Sequence, residues 1–203
     1  YKKLEGITLC GCLVHAKRKF HEAWLTNKSN EDAEQGEAYI QKLFAIERKA
    51  DELGYTDEER LQLRQTESKK VLDEFYTWLE SIQSKTLPQS LLGKAITYAQ
   101  NQKEYLSSFL KDGNIQLSNN LAEQAIKMFV IGRKNWLFSN TPNGARSSAL
   151  IYSIIQTALA NDLKPFHYLE YVFEQLQINK DVEVTQLLPW SENIPAKCKN
   201  TTP

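Results

Sequence analysis

The residues best placed to do chemistry lie in one run, Asn119-Asn120-Leu121-Ala122-Glu123-Gln124-Ala125-Ile126-Lys127. On a helix, Asn119, Glu123 and Lys127 recur at intervals of four and share one face. A carboxylate held between an amide and a cation near a helix start has two roles open to it. It can bind a hard cation through its oxygens. It can also serve the helix: Asn120 stands three residues before Glu123, the capping-box spacing, and Lys127 would then complete a surface ion pair.

A second group is Cys10, Cys12 and His15. Their C-x-C-x2-H spacing is poor for zinc, and a fourth ligand is missing. Strand alternation would place both cysteines on one face, as two small buried residues. His15 is expected to hydrogen-bond within or beside the core. Lys17, Arg18 and Lys19 follow and read as a solvated helix face. Trp136 and Phe138 read as core side chains.

These residues need elements to hold them. Ile7–Val14 is apolar at nearly every position, as in a strand covered on both faces. Ala16, Phe20, Ala23 and Trp24 then recur at helical spacing. A helix over Ala38–Leu53 ends at Gly54, a C-cap residue. Another starts near Thr56-Asp57-Glu58-Glu59 and runs through Leu79, with its charges on a solvated face. A helix carrying Leu91 to Leu110 stops at the turn Lys111-Asp112-Gly113-Asn114. Ser118-Asn119-Asn120 opens the helix of Glu123. Trp136-Leu137-Phe138 reads as a short strand, and Thr141–Gly144 as a turn. Two helices follow, over about 145–159 and 165–176, the latter with Pro165 in its first turn. A loose tail is expected from Asp181 onward.

The chain has 203 residues with 25 basic and 25 acidic side chains, a formal net charge of zero. Neutrality is a cancellation: residues 1–30 carry net +4, 31–80 net −7, 81–146 net +5 and 147–203 net −2. Two basic blocks flank an acidic one, so zero net charge does not exclude a nucleic-acid partner. With 41% apolar and 25% charged residues, the composition argues against disorder. No apolar run reaches the roughly 18 residues that cross a bilayer. Three cysteines do not make a disulfide framework, which points to a reducing cytoplasm.

Five segments in order carry a family resemblance. Gly11–Phe20 resembles the "GCWAHARRKF" stretch of bacterial transposases of the insertion sequence sixty-six family. Leu87–Ala99 resembles their "LPKSPLGKAIGYA", and Asn119–Lys134 their "DNNAAERALRPVALGRKNW". Ile151–Ala158 and Leu187–Trp190 resemble their "LYSLIETAK" and "LLPW" segments. The matches run over about residues 1–190.

The resemblance implies a DDE-type transposase with a ribonuclease-H-like catalytic fold. Such enzymes hold two divalent ions, Mg2+ or Mn2+, between two Asp and one Glu for in-line phosphoryl displacement. Glu123 matches the Glu as catalytic residue and metal ligand, with Asn119, Asn120 and His15 in support. Arg18, Lys127, Arg133 and Lys134 would contact the DNA backbone. Ser118 stands where the family often has Asp, and Gln124 and Lys127 stand where it has Arg. Arg reads phosphate bidentately and Gln does not.

The expected fold is α+β and mostly helical. Residues 1–146 would form the C-terminal part of a ribonuclease-H-like core, with a helical insertion over about 31–110. A helical element over 147–190 and a tail over 191–203 would follow. No Asp sits at the end of a strand-like run, so the chain is expected to begin after the second catalytic Asp and to be inactive alone. The partners implied are transposon-end and target DNA, with a homo-oligomer or other transposase subunits. A bacterial cytoplasmic location, nucleoid-associated on DNA, follows from the same resemblance. The competing reading is a non-catalytic transposase remnant or a helical DNA- or protein-interaction module.

Overall fold

The computed structural model describes residues 7–136, 139–178 and 181–200. Among these residues the chain is mostly helical, and its only bridge is the isolated Leu163–Lys199 pair. It divides into two compact units, Tyr1–Leu121 and Ala122–Pro203.

Unit 1 contains α1 (Leu13–Thr26), α2 (Glu31–Glu52), α3 (Asp57–Leu63), α4 (Lys69–Gln83), α5 (Leu91–Asn101) and the short α6 (Lys103–Leu106). Local chemistry fixes the helix ends. The Asn30 side chain accepts the Ala33 N–H at 3.0 Å, and Glu31, Asp32 and Glu34 fill the first turn of α2. Gly54 takes φ +65 and stops that helix. Thr56 and Glu59 form a reciprocal capping box on α3. Ser90 caps α5 through the Gly93 N–H at 3.0 Å.

The core of unit 1 joins Leu13, Ala16, Phe20 and Ala23 of α1 to apolar faces of α2, α4 and α5. Phe20 is fully buried and meets Phe75 edge-on at 5.9 Å, with Trp78 at 6.3 Å. Gly36 of α2 makes room for that ring: a Cβ there would lie 2.9 Å from Phe20 Cγ. The acidic segment 31–110 therefore shares one core with α1.

The expected strand at Ile7–Val14 does not form. Helix α1 already starts at Leu13, and residues 7–12 carry no strand assignment. Their polar groups are satisfied by helical neighbours instead of a ladder. Gly11 N–H donates to Tyr105 O at 2.8 Å, and the Ser108 hydroxyl donates to Leu9 O at 2.9 Å. Leu13 N–H, an orphan of the first turn of α1, donates to Leu117 O at 2.9 Å. Cys12 is buried, but Cys10 is exposed, so the cysteines are not a buried pair. The α+β expectation is thus corrected to a helical fold among the described residues.

The single helix expected from Thr56 to beyond Leu79 is interrupted by a π-helical turn, Arg64–Ser68, between α3 and α4. Its charges are not all solvated. Arg64 is 1% exposed. Its Nε and Nη2 donate to the two Glu47 carboxylate oxygens, each at 2.7 Å. Its Nη1 donates to Phe109 O at 3.0 Å and Asp112 O at 2.7 Å. Arg60 also reaches Glu47, at 3.0 Å, and Asp51, at 2.6 Å. A buried guanidinium is tolerated here because its donors are directed at acceptors.

Unit 2 holds most of α7 (Asn120–Trp136), with α8 (Pro142–Ala160) and α9 (Pro165–Ile178). Trp136 is thus helical, not part of a strand; Leu137 and Phe138 lie outside the described residues. The expected turn Thr141–Gly144 is the start of α8: Thr141 accepts the Gly144 N–H at 3.0 Å, with Pro142 as the first helical residue. Phe129 of α7 packs edge-on against Tyr152 of α8 at 5.2 Å.

The segment expected as a loose tail packs back on unit 2. Leu187, Ile194 and Cys198 are buried. Tyr168 donates its hydroxyl to Leu187 O at 2.7 Å, and Lys164 N–H donates to Cys198 O at 2.7 Å. Asn200 N–H donates to the carbonyl of Asp162, at 2.8 Å. Each buried apolar group and satisfied carbonyl holds this segment in place.

Candidate functional site

The approach to α7 is built by unit 1. Lys111-Asp112-Gly113-Asn114 turns the chain, and the Asp112 side chain accepts the Asn114 N–H at 2.8 Å. Leu117 is buried in the unit 1 core and bonds to the first turn of α1. Three residues later α7 begins at Asn120. The cap position therefore falls on Asn119, one residue before the position that the capping-box spacing assigns.

Glu123 is the acidic residue of the first turn of α7. A negative charge there is favoured by the helix dipole. Glu123 and Lys127 are exposed and lie four residues apart on the same face. Asn120 shares that side of the helix. Arg133 and Lys134 belong to α7, but their side chains fall outside the described residues.

His15 and Arg18 lie on α1, within unit 1. The basic triplet around Arg18 is divided in use. Lys17 pairs with Glu37 of α2 at 3.5 Å. Lys19 sits over the Tyr98 ring of α5, 4.9 Å from its centroid. Arg18 is exposed.

A divalent metal needs several hard oxygen donors held together. Among the described residues, no group of three or more His, Cys, Asp or Glu could hold one. Glu123 contributes one carboxylate, and a two-metal centre needs several oxygen ligands. These residues by themselves do not fit the group. Of the two cysteines near His15, Cys10 is exposed and Cys12 is buried.

Two features escaped the sequence. One is Arg64, whose partners lie 17 to 48 residues away in the chain. The other is the apolar surface of unit 2. Ile126, Met128, Val130 and Ile131 of α7 are exposed, as are Leu150 and Ile151 of α8. Grooves of about 550 and 530 Å3 run along α7–α8 and along α8–α9. No helix among the described residues is long and apolar enough to cross a membrane.

Residues 1–147 match the family described as "Transposase IS66 family". The chain belongs to the IS66 transposase family. Residues 153–190 match the IS66 C-terminal element, so the resemblance holds on both sides of the α7–α8 connection. Curated relatives of this IS66 chain include three uncharacterized proteins of Sinorhizobium fredii (strain NBRC 101917 / NGR234). Protein y4hP is 32% identical over 199 residues, covering 93% of this chain and 36% of the relative. Proteins y4qI and y4jD are each 30% identical, covering 92% and 91% of this chain and 34% and 36% of the relatives. The chain thus spans about a third of their length. No solved structure matches.

Proposed function

We propose that this chain takes part in DNA transposition as part of a DDE-type transposase with a ribonuclease-H-like core. The observation that carries the reading is Glu123. It stands exposed in the first turn of α7, at the position where the family resemblance puts the metal-binding Glu. In this reading Glu123 supplies one ligand for Mg2+ or Mn2+, and two Asp carboxylates outside these 203 residues complete the set.

The other residues take supporting parts. Asn119 and Asn120 set the start of α7 and hence the turn from which Glu123 projects. Arg18, Lys127, Arg133 and Lys134 contact phosphates of transposon-end and target DNA, so affinity falls with salt. Lys127 binds phosphate as a point charge and lacks the bidentate grip of Arg. Oligomerisation with copies of itself or other transposase subunits belongs to the same reading.

The test has two arms. The isolated chain should bind DNA in a salt-dependent way and should neither cut nor join transposon-end DNA in Mg2+. A chimera in which these residues replace the matching segment of an active family member should lose cleavage on Glu123→Gln and keep DNA binding. Cleavage by the isolated chain would overturn the incomplete carboxylate set. Full activity of the Glu123→Gln chimera would leave the non-catalytic interaction module as the better account.

A further inference from the structure

We propose that the α8–α9 face of unit 2 is a self-docking surface, which a second copy of this chain covers about a two-fold axis. This rests on the oligomeric part of the transposase reading and deepens it by assigning that part a surface. Every residue of the surface lies in unit 2.

The face is built around the groove of about 530 Å3 along α8 and α9. Leu150 and Ile151 of α8, Phe173 and Leu176 of α9, and Val184 and Trp190 of the following segment line it and are exposed. Its floor is fixed: buried Tyr168 donates to Leu187 O at 2.7 Å and holds the segment 184–190 against α9. The six exposed side chains leave on the order of 600 Å2 of apolar surface open, at the upper end of what a monomer shows and most of the roughly 800 Å2 per partner of a standard interface. Unit 2 has little else to bury. Among the described residues its buried core cluster has five side chains, against nineteen in unit 1. A unit with so small a core gains stability by association.

Charge decides the occupant. Among the described residues, no charged side chain lines this groove. The groove between α2 and α4 of unit 1, by contrast, is lined by Lys69, Lys70, Asp73 and Glu74, as suits a solvated surface. The acids of α9 are engaged outside the α8–α9 groove: Glu170 and Glu174 meet Lys197 at 3.9 and 3.7 Å. In a two-fold interface each patch faces its own image, so a charged patch would oppose like charges and an uncharged one does not. A nucleic acid, recognised through its phosphates, finds no cation here to bind. The face also carries its own complement. Trp190 is 63% exposed and stands at the groove it lines, so in a two-fold pair the ring of one copy enters the groove of the other.

The experiment follows the full 203-residue chain by sedimentation equilibrium from about 1 to 100 μM, without DNA or metal. The chain should pass from monomer to dimer over this range. Amide exchange at residues 150–157 and 184–190 should slow as the dimer fills, with α1 to α5 unchanged. Trp190→Glu should weaken dimerisation by about tenfold or more while the helical circular dichroism is kept. Leu53→Glu, at an exposed apolar position of unit 1, should leave dimerisation unchanged. A chain still monomeric at the highest concentration overturns the proposal, as does a dimer that Trp190→Glu leaves intact. A monomer whose residues 184–190 are protected at every concentration covers the face itself, and that result refutes the proposal too. Should Trp190→Glu not fold, Leu150→Lys on α8 takes its place with the same expected loss. No readout involves cleavage or Glu123. A monomeric chain therefore leaves the Glu123 reading standing, and an active Glu123→Gln chimera leaves the dimer standing.

Discussion

Gly113→Ala should be the most damaging single methyl that unit 1 can receive at a turn. The added Cβ would stand 2.6 Å from the carbonyl carbon of Asp57 and 2.8 Å from its Cα. Asp57 opens α3, inside a capping box, so its backbone has little freedom to retreat. The Lys111–Asn114 turn must move instead, and it is held by the Arg64 bond to Asp112 O and by the Asp112–Asn114 bond. Overpacking of this kind costs about 1–3 kcal/mol. Losing one charge-assisted hydrogen bond adds about 1.5–3 kcal/mol. Together the loss is about 3–5 kcal/mol, a large part of a typical domain stability of about 5–15 kcal/mol. Gly54→Ala is the control: φ is +65 and nothing lies within 4 Å, so only left-handed strain of about 1–2 kcal/mol applies. Urea unfolding read by Trp24 and Trp78 fluorescence measures both. With m of about 2 kcal/mol/M, the Gly113→Ala midpoint should fall by roughly 1.5–2.5 M. A loss no larger than that of Gly54→Ala would refute the close approach.

Three further outcomes follow from the same geometry. Phe20→Ala should cost about 3–5 kcal/mol in urea unfolding, because the ring is fully buried against Phe75 and Trp78; a loss under about 1 kcal/mol would contradict that packing. Burial raises the Glu37 carboxyl, but hydrogen bonds from His21 and Gln41 and the charges of His21 and Lys17 outweigh it and hold it below its ordinary value. Its contribution is then present above the ordinary carboxylate range and lost as pH falls through the lowered value, so acid should reduce wild-type stability more steeply than that of Glu37→Gln; parallel pH curves would sink this claim. In thiol labelling, Cys10 should react rapidly and Cys12 and Cys198 only after urea, since the first is exposed and the others are buried. Burial also pushes the Cys198 thiol up, which lowers its thiolate fraction further.

Helix ends were legible in the sequence because caps are local. Thr56 with Glu59, Gly54 after α2 and Asp112-Gly113-Asn114 act within three or four residues of themselves. The shared face of Glu123 and Lys127 was legible for the same reason. The strand at Ile7–Val14 was misread because an apolar run reports burial, not the kind of neighbour that buries it. Here the neighbours are helical segments about a hundred residues downstream. Arg64 was hidden by distance: its acceptors sit on α2 and beyond α6, and nothing adjacent to it signals a buried charge. The uses of Lys17 and Lys19 were hidden likewise, since Glu37 and Tyr98 lie on other helices. The docking of residues 184–200 rests on sparse apolar positions, Leu187, Ile194 and Cys198, spread too widely to show a period.

The bonds from Leu9 to Ser108 and from Leu13 to Leu117 also set an order of events during synthesis. Among these helices α1 leaves the ribosome before α2 and α4, which can cover its Phe20 face soon after. Its amino-terminal turn and the apolar stretch before it must wait until residues 105–117 have emerged. Loop-closure entropy over about a hundred residues makes that last step slow. A nascent chain stalled before Leu117 therefore presents a helical bundle in which the apolar stretch at residues 7–14 still lacks its partners, a species prone to pair with its neighbours on a crowded polysome.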